Sequence, residues 1–488
     1  MLALASTSKY LLAAVLIAPF AILGASSALS PQGELEQVLP TASRASQTDE
    51  GQWTALLVGP PRGRLEPCGC SGGQLGGIDR LQTMLSIAAP VDGRNTIRIA
   101  AGGAVSIDAE PFPSWARAQL ETLWLSYSMM GMDVVGLSKS DLSQAAELQN
   151  LQGLIGQAQI IATNLNMSPT APDTRAPFYG AQYKSPMGGP QVYSFLAPGL
   201  KLVTGTKEAG DFVLWESSDP VDALKALEAS GIHDPAATSL ALFEGSDKDA
   251  TALAAHLGEG SVVLRVNDEY EASHALQNTS ASAATADLGT RLRYVVGLSS
   301  GKNGLEFNLS TVSEDVPGDP NLDSMRGMYR MMLESYAARE SVADSKGQAA
   351  LGGYIGSDAC MECHQIASEI WQESLHSHAM ETLADDLRDG APATQDPNCI
   401  QCHSVGFGFD SGFGSRTHSD SLRWDTLNGF AGVGCESCHG PGAKHSTTEN
   451  VADIDRAGEH TCLQCHDSEN DPDFDFVRKW PNIEHNNE

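Results

Sequence analysis

The sequence predicts an α/β protein in two parts: a layered sheet-and-helix domain followed by a mostly helical C-terminal domain. Three observations predict it. Short apolar runs alternate with amphipathic stretches from Trp53 to Leu309, the order expected of a sheet covered by helices. A break at Pro317 to Pro320 and a small, polar stretch at 341–353 separate this region from the tail. Residues 351–488 then carry one five-residue pattern, C-x-x-C-H, four times. A chain of 488 residues can build two or three domains, each with its own core.

In order, residues 53–59 form an apolar run ending in Pro60-Pro61, which predicts a buried strand and a turn. A second strand is expected at 96–101, closed by Gly102-Gly103, then a helix at 113–130 and strands at 133–136 and 158–164. Further strands are expected at 192–195, 201–204, 212–215, 240–243, 261–266 and 292–296, with helices at 219–229 and 247–257. After Pro320, Met325, Met328, Tyr329, Met332 and Tyr336 share one helical face, which reads as core packing. The predicted boundaries are 1–28 for an export signal, 29–50 for a flexible lead, 51–316 for the α/β domain, 317–353 for a helix and linker, and 354–488 for the tail.

The four copies are Cys360-Met361-Glu362-Cys363-His364, Cys399-Ile400-Gln401-Cys402-His403, Cys435-Glu436-Ser437-Cys438-His439 and Cys462-Leu463-Gln464-Cys465-His466. Each is an attachment sequence for a c-type haem. Two thiols three positions apart reach both vinyl groups of one porphyrin, and the adjoining histidine reaches the iron. Four covalent haems c are therefore expected, with His364, His403, His439 and His466 as proximal ligands. The rival is a pair of zinc sites held by four thiolates each. It gives no reason for a histidine after every second cysteine. With 13 histidines in 488 residues, four in four by chance is about one in two million.

The sixth position of each iron separates a carrier from a catalyst, because a second histidine closes it and an open position admits a small substrate. Outside the motifs the tail holds His376, His378, His418, His445 and His460, with His485 near the chain end. His376 and His378 are two apart on an expected helix starting near Ser357, so they face different directions and one of them is expected to ligate. His445 follows a Gly-Pro-Gly turn that can fold it over a neighbouring haem. His418 and His460 are as readily solvated as ligating. Met361 and Met380 are alternatives, with core or surface roles preferred. At least two bis-histidine haems are expected, and one haem can remain open. Roughly 35 residues per haem are too few for separate hydrophobic cores, so the porphyrins should form much of the interior and touch one another.

The tail resembles multihaem cytochromes c of the cytochrome c-554 family. The resemblance rests on Tyr354-Ile355-Gly356-Ser357, on Trp371-Gln372-Glu373-Ser374-Leu375-His376 and, most specifically, on the run from Gly432 through Cys435 and His439 to His445. It covers about residues 351–470, predicts a haem-packed fold, and implies His376 and His445 as distal ligands. The α/β part is more weakly similar to calcineurin-like metallophosphoesterases of the 5′-nucleotidase type, through its strand order, Gly76-Gly77-Ile78-Asp79-Arg80 and residues 160–166. That family holds two metals through Asp and His motifs. The corresponding places here read Gly59-Pro60-Pro61, Gly102-Gly103 and Gly136-Leu137-Ser138-Lys139. The domain's own histidines, His233, His256 and His274, lie in no ligand pattern. A metallophosphoesterase-like domain without its metal ligands is expected, because a two-metal hydrolase needs carboxylates and imidazoles to hold its ions.

Lys9, the apolar run 10–24 and the small residues Ser26-Ser27-Ala28 predict a cleaved export signal. Pro19 and the short run argue against a membrane span, and an uncleaved anchor is the alternative. Export to the periplasm or cell exterior agrees with c-type haem, which is attached outside the cytoplasm. The net charge is −31, and residues 351–488 supply 24 acidic against 7 basic groups. Such a field disfavours nucleic acid and steers towards redox partners with basic docking surfaces. Cys68-Gly69-Cys70 follows the first strand, where α/β folds gather ligands. It reads as a soft-metal or redox thiol pair, or as an ordinary disulfide.

The leading expectation is a tetrahaem electron carrier. A multihaem oxidoreductase acting on a small nitrogen or sulfur compound at an open haem is the alternative. An active nucleotidase bearing a cytochrome is the third.

Overall fold

The computed structural model describes residues 52–67, 74–90, 95–104, 114–143, 148, 150–167, 179–204, 212–267, 271–278, 283–301, 304–337, 352–385, 387–388, 391–407, 409, 411–413, 429–467, 470–471 and 473–485. The expected export signal, flexible lead, Cys68, Cys70, His418 and most of the expected linker lie outside these residues. Among the described residues, no helix is long and apolar enough to cross a membrane.

Strand β1 (Thr54–Val58) is buried along its whole length. It is followed by α1 (Ile78–Ala88), β2 (Thr96–Ala100), α2 (Ser114–Met129), β3 (Val134–Gly136), α3 (Lys139–Ser143), β4 (Gln159–Ile161) and β5 (Leu165–Met167). Next come β6 (Tyr183–Lys184), β7 (Gln191–Leu196), β8 (Lys201–Thr204), β9 (Phe212–Ser217), α4 (Pro220–Ala229), β10 (Ser239–Glu244), α5 (Asp247–Ala254) and β11 (Val262–Arg265). The α/β part closes with β12 (Gln277–Asn278), β13 (Ala284–Asp287), β14 (Tyr294–Gly301), β15 (Gly304–Thr311) and α6 (Pro320–Ala337).

Twelve of these strands form two 6-stranded sheets, ordered β15-β14-β1-β2-β3-β4 and β12-β13-β11-β10-β7-β6, and the other three form a 3-stranded sheet, β5-β9-β8. In the first, β1 to β4 run parallel, with Thr54 opposite Thr96, and β14 returns antiparallel on β1. Side chains alternate across each strand, and the alternation sorts them into layers. Ala55 and Leu57 of β1 meet Leu240, Leu242 and Val262 between the sheets. Leu56 and Val58 meet Trp124, Tyr127 and Tyr329 beneath the helices. Ala241 and Phe243 of β10 face Leu224 and Leu253 of α4 and α5. The result is a helix–sheet–sheet–helix sandwich, so its strands read as unbroken apolar runs. Full burial of each Leu, Val or Phe contributes roughly 1.5–3 kcal/mol.

Three differences from the sequence reading have physical causes. Helix α6 does not lead away from the α/β part: Leu322, Met325 and Tyr329 join the cluster under the first sheet. Met328, expected on that buried face, is 50% exposed, and Arg326 is buried in the face instead. Arg326 can be buried because Glu66 (2.8 Å), Asp323 (2.7 Å) and Asp79 (3.3 Å) surround it. Helix α1 and strands β13 and β15 were also not anticipated. The apolar side chains of β15 are only half-buried, so its sequence lacks the continuous apolar run.

The tail is built of short helices: α7 (Ser357–Met361), α8 (Gln365–Glu373), α9 (Ala379–Asp385), α10 (Pro397–His403), α11 (Cys435–His439), α12 (Ala443–Thr448), α13 (Glu459–Cys462) and α14 (Phe476–Lys479). One small cluster of buried apolar side chains, including Met380, Ile400, Val405 and Phe413, gathers around the second motif. The single helix expected from Ser357 through both histidines is broken. It is interrupted after Met361 and ends at Glu373, and His376 and His378 lie in the turn that follows.

Candidate haem-binding site

Each motif sits on its own short helix or helical turn, and polar side chains fix the motifs against one another. Glu436, inside the third motif, is 2% exposed. It accepts from the N–H groups of Ile355 (3.0 Å), Gly356 (2.7 Å) and Gly442 (2.7 Å), tying the approach to the first motif to the turn after the third. Burial pushes its carboxyl above the ordinary value, against the pull of these three donors. Trp371 donates from Nε1 to the Val433 carbonyl at 2.7 Å, and the Val433 N–H donates to His376 O at 2.9 Å. The two stretches flanking the first and third motifs are therefore docked on each other.

The thiols of different motifs adjoin. The Cys360 and Cys435 thiols lie close enough to interact, which pulls the Cys435 thiol down to about 7 and pushes Cys360 up. Cys465 stands in the same relation to Cys402, lowering Cys402, and Cys438 lies near Cys462. The first motif thus neighbours the third, the third the fourth, and the fourth the second.

Three motif histidines face a second histidine. His364 faces His445 with ring centroids 6.0 Å apart, His466 faces His376 at 6.1 Å, and His439 faces His485 at 5.7 Å. An imidazole nitrogen sits about 2 Å from a bound metal, so two rings sharing one iron put their centroids about 6 Å apart. The three centroid separations match that arrangement.

The ring tautomers fit as well. A carbonyl oxygen only accepts, so each ring nitrogen facing one must carry the proton. Nδ1 of His403 donates to Ala379 O (2.6 Å), His439 to Asp455 O (3.0 Å), His445 to Asn450 O (3.0 Å) and His485 to Ile483 O (3.0 Å). His466 directs Nδ1 to the Asp471 carboxylate at 2.8 Å. Donation from Nδ1 leaves the Nε2 lone pair for a metal and fixes the ring's aim. Burial pushes the His376 and His439 rings below the ordinary histidine value, which favours the neutral form that ligates.

Of the candidates named from sequence, His376 and His445 each meet a motif histidine. His460 directs Nε2 to the hydroxyl of its neighbour Thr461 at 3.3 Å. His378 is exposed beside Glu381. Met380 belongs to the apolar cluster, and the Met361 sulfur accepts from Gln372 Nε2 at 3.6 Å. His485 was set aside as terminal. It follows α14, which Asp475 caps, and its Nδ1 donates to Ile483 O at 3.0 Å.

In the α/β part, the three places matched to phosphoesterase metal loops converge at the ends of β1, β2 and β3. Asp141 fills the space between them, accepting from the N–H groups of Gly103 (2.7 Å), Ala104 (3.0 Å) and Ser138 (2.9 Å). Gly102, at φ +78°, is required there, because a Cβ would lie 2.4 Å from Gly136 O. Arg62 reaches across to Ser140 Oγ at 3.1 Å and to Glu244 at 3.7 Å. A carboxylate bound to backbone and a guanidinium thus stand where the resemblance implies metal ligands. Among the described residues, no group of three or more His, Cys, Asp or Glu side chains could hold a metal ion.

Residues 359–440 match the family described as "Cytochrome c554 and c-prime". Cytochrome c-554 of Nitrosomonas europaea is 34% identical over 116 residues, which are 22% of this chain and 46% of that protein. The chain thus spans less than half the length of that relative. Among solved structures, it is similar to a 5′-nucleotidase precursor of Thermus thermophilus, with TM-score 0.45, 14% identity, and 65% of this chain and 68% of that one covered. It is also similar to the sulfate thiohydrolase SoxB of Thermus thermophilus, with TM-score 0.46, 10% identity and coverage of 66% and 69%. The calcineurin-like phosphoesterase YfkN of Bacillus subtilis matches with TM-score 0.40, 9% identity and coverage of 58% and 98%.

Proposed function

We propose that this chain is an exported tetrahaem c-type cytochrome that carries electrons between redox proteins. The observation that carries this reading is the set of three facing histidine pairs at 5.7–6.1 Å. The similarity of residues 359–440 to multihaem cytochromes supports it. Haem, when bound, supplies a reversible one-electron couple. His364 with His445, His466 with His376, and His439 with His485 would hold the iron of a bound haem, and a position so filled would not admit a substrate. The Nδ1 donations of His439, His445, His466 and His485 keep those four rings in the ligating tautomer. The neighbouring thiols of Cys402 and Cys465, Cys462 and Cys438, and Cys435 and Cys360 support an unbroken series of four attachment sites.

The N-terminal segment and the attachment of c-type haem outside the cytoplasm support export. The excess of 24 acidic over 7 basic groups in residues 351–488 supports partners with basic faces. In the α/β part, Asp141 is engaged by backbone N–H groups and Arg62 spans the cleft, so the domain acts as a scaffold rather than as a hydrolase.

The test is carbon monoxide uptake by the reduced, haem-loaded protein. Three closed sites allow at most one haem in four to bind the gas. Uptake by two or more contradicts the proposal.

A further inference from the structure

The second motif is docked on the α/β part. Asn398 Nδ2, at the start of α10, donates to Gly63 O at 3.2 Å, and Arg64 Nη1 donates to Asn398 O at 3.4 Å. Nearby, Trp115 of α2 meets Phe407 with ring centroids 6.3 Å apart. Asn398 and Cys402 are four positions apart on one helix. The carbonyl that Arg64 reaches is therefore the one that α-helical geometry offers to the N–H of Cys402. Arg64 is 7% exposed, so its charge is fixed in place and poorly screened. A second guanidinium, Arg291, comes from the turn before β14, whose backbone N–H donates to Pro60 O at 2.7 Å. Both guanidiniums lie close enough to Cys402 for their charge to be felt there, and the Asp467 carboxylate, also near, opposes them.

We propose that Arg64, seconded by Arg291, lets the α/β part raise the reduction potential of the haem held by Cys399 and Cys402. This rests on the reading of the tail as haem-bearing. Uptake of one electron converts ferric to ferrous iron and removes one positive charge from the site. A fixed cation beside it repels the ferric form more than the ferrous form, so reduction becomes easier. The scaffold domain thus has an electrostatic role: it biases where electrons reside along the series of attachment sites.

The test is a spectroelectrochemical titration of the full-length, haem-loaded protein, with dithionite as the electron donor. In Arg64→Gln and in Arg291→Gln, one of the four midpoints is expected to move to lower potential while the others hold. Arg64→Lys, which keeps the charge, is expected to leave that midpoint near its original value. Arg117→Gln, on the exposed face of α2, is expected to move none. Should Arg64→Gln fail to take up haem, Arg291→Gln decides alone, because it leaves the Asn398 contact intact. Unchanged midpoints in the haem-loaded variants overturn the proposal, and so does a common shift of all four. A full-length protein carrying no haem overturns instead the reading on which the proposal rests.

Discussion

The imidazoles of His364 and His445 lie with centroids 6.0 Å apart and 22° between their planes. They come from opposite ends of the first and third motif segments, 81 residues apart by their numbers. Replacing His445 with Ala removes one face of that pair and leaves the attachment cysteines intact. One haem should then turn from low-spin to high-spin and bind carbon monoxide in its reduced form. Optical and paramagnetic resonance spectra check this. A spectrum identical to the parent's would remove His445 from the ligand set.

His485 and His460 give a contrasting pair. His485 faces His439 at 5.7 Å, whereas His460 directs Nε2 to its neighbour Thr461. His485→Ala should open one haem to carbon monoxide, and His460→Ala should open none. The reverse result would exchange their roles.

Glu436 provides a pH dependence of defined sign. Burial raises its carboxyl above the ordinary 4.5, so the folded chain holds this proton more tightly than the unfolded chain. Its contribution to stability is therefore fully present below 4.5 and is lost as pH climbs through the raised value. Glu436→Gln removes that titration. Urea midpoints of parent and variant should converge as pH rises from the acid side towards neutrality, wherever the parent is initially the more stable. A gap that widens in the parent's favour would contradict the raised value. Glu436→Ala, which leaves three backbone donors without their acceptor, should cost about 1–3 kcal/mol at acid pH.

Arg326 is 1% exposed and is held by Glu66, Asp79 and Asp323. Arg326→Ala leaves buried carboxylates with less compensation, and breaking such a pair costs about 3–5 kcal/mol. Urea denaturation of the full chain checks this. A loss below about 1 kcal/mol would show that Arg330, which also binds Glu66 at 2.8 Å, suffices alone.

The layered α/β architecture was legible because β1, β7 and β10 are buried on both faces and so announce themselves as apolar runs. Strand β15 was not, because it pairs with β14 at a sheet edge and its residues are mostly half-buried. Arg326 was missed for a related reason. Periodicity treats a charged residue as solvated, and only tertiary structure brings Glu66 from 260 residues away to meet it. The C-x-x-C-H motifs are local chemistry and needed no fold. Distal histidines are set by tertiary contact, so sequence offered several candidates. His485 was passed over because proximity to the chain end says nothing about the capped helix Phe476–Lys479 that precedes it.

The most direct test of the central claim is the intact mass of the full-length protein purified from a host that attaches c-type haem. The account requires four haem increments above the bare polypeptide, lost together when the eight motif cysteines are replaced. A colourless protein with the mass of the polypeptide alone would contradict it.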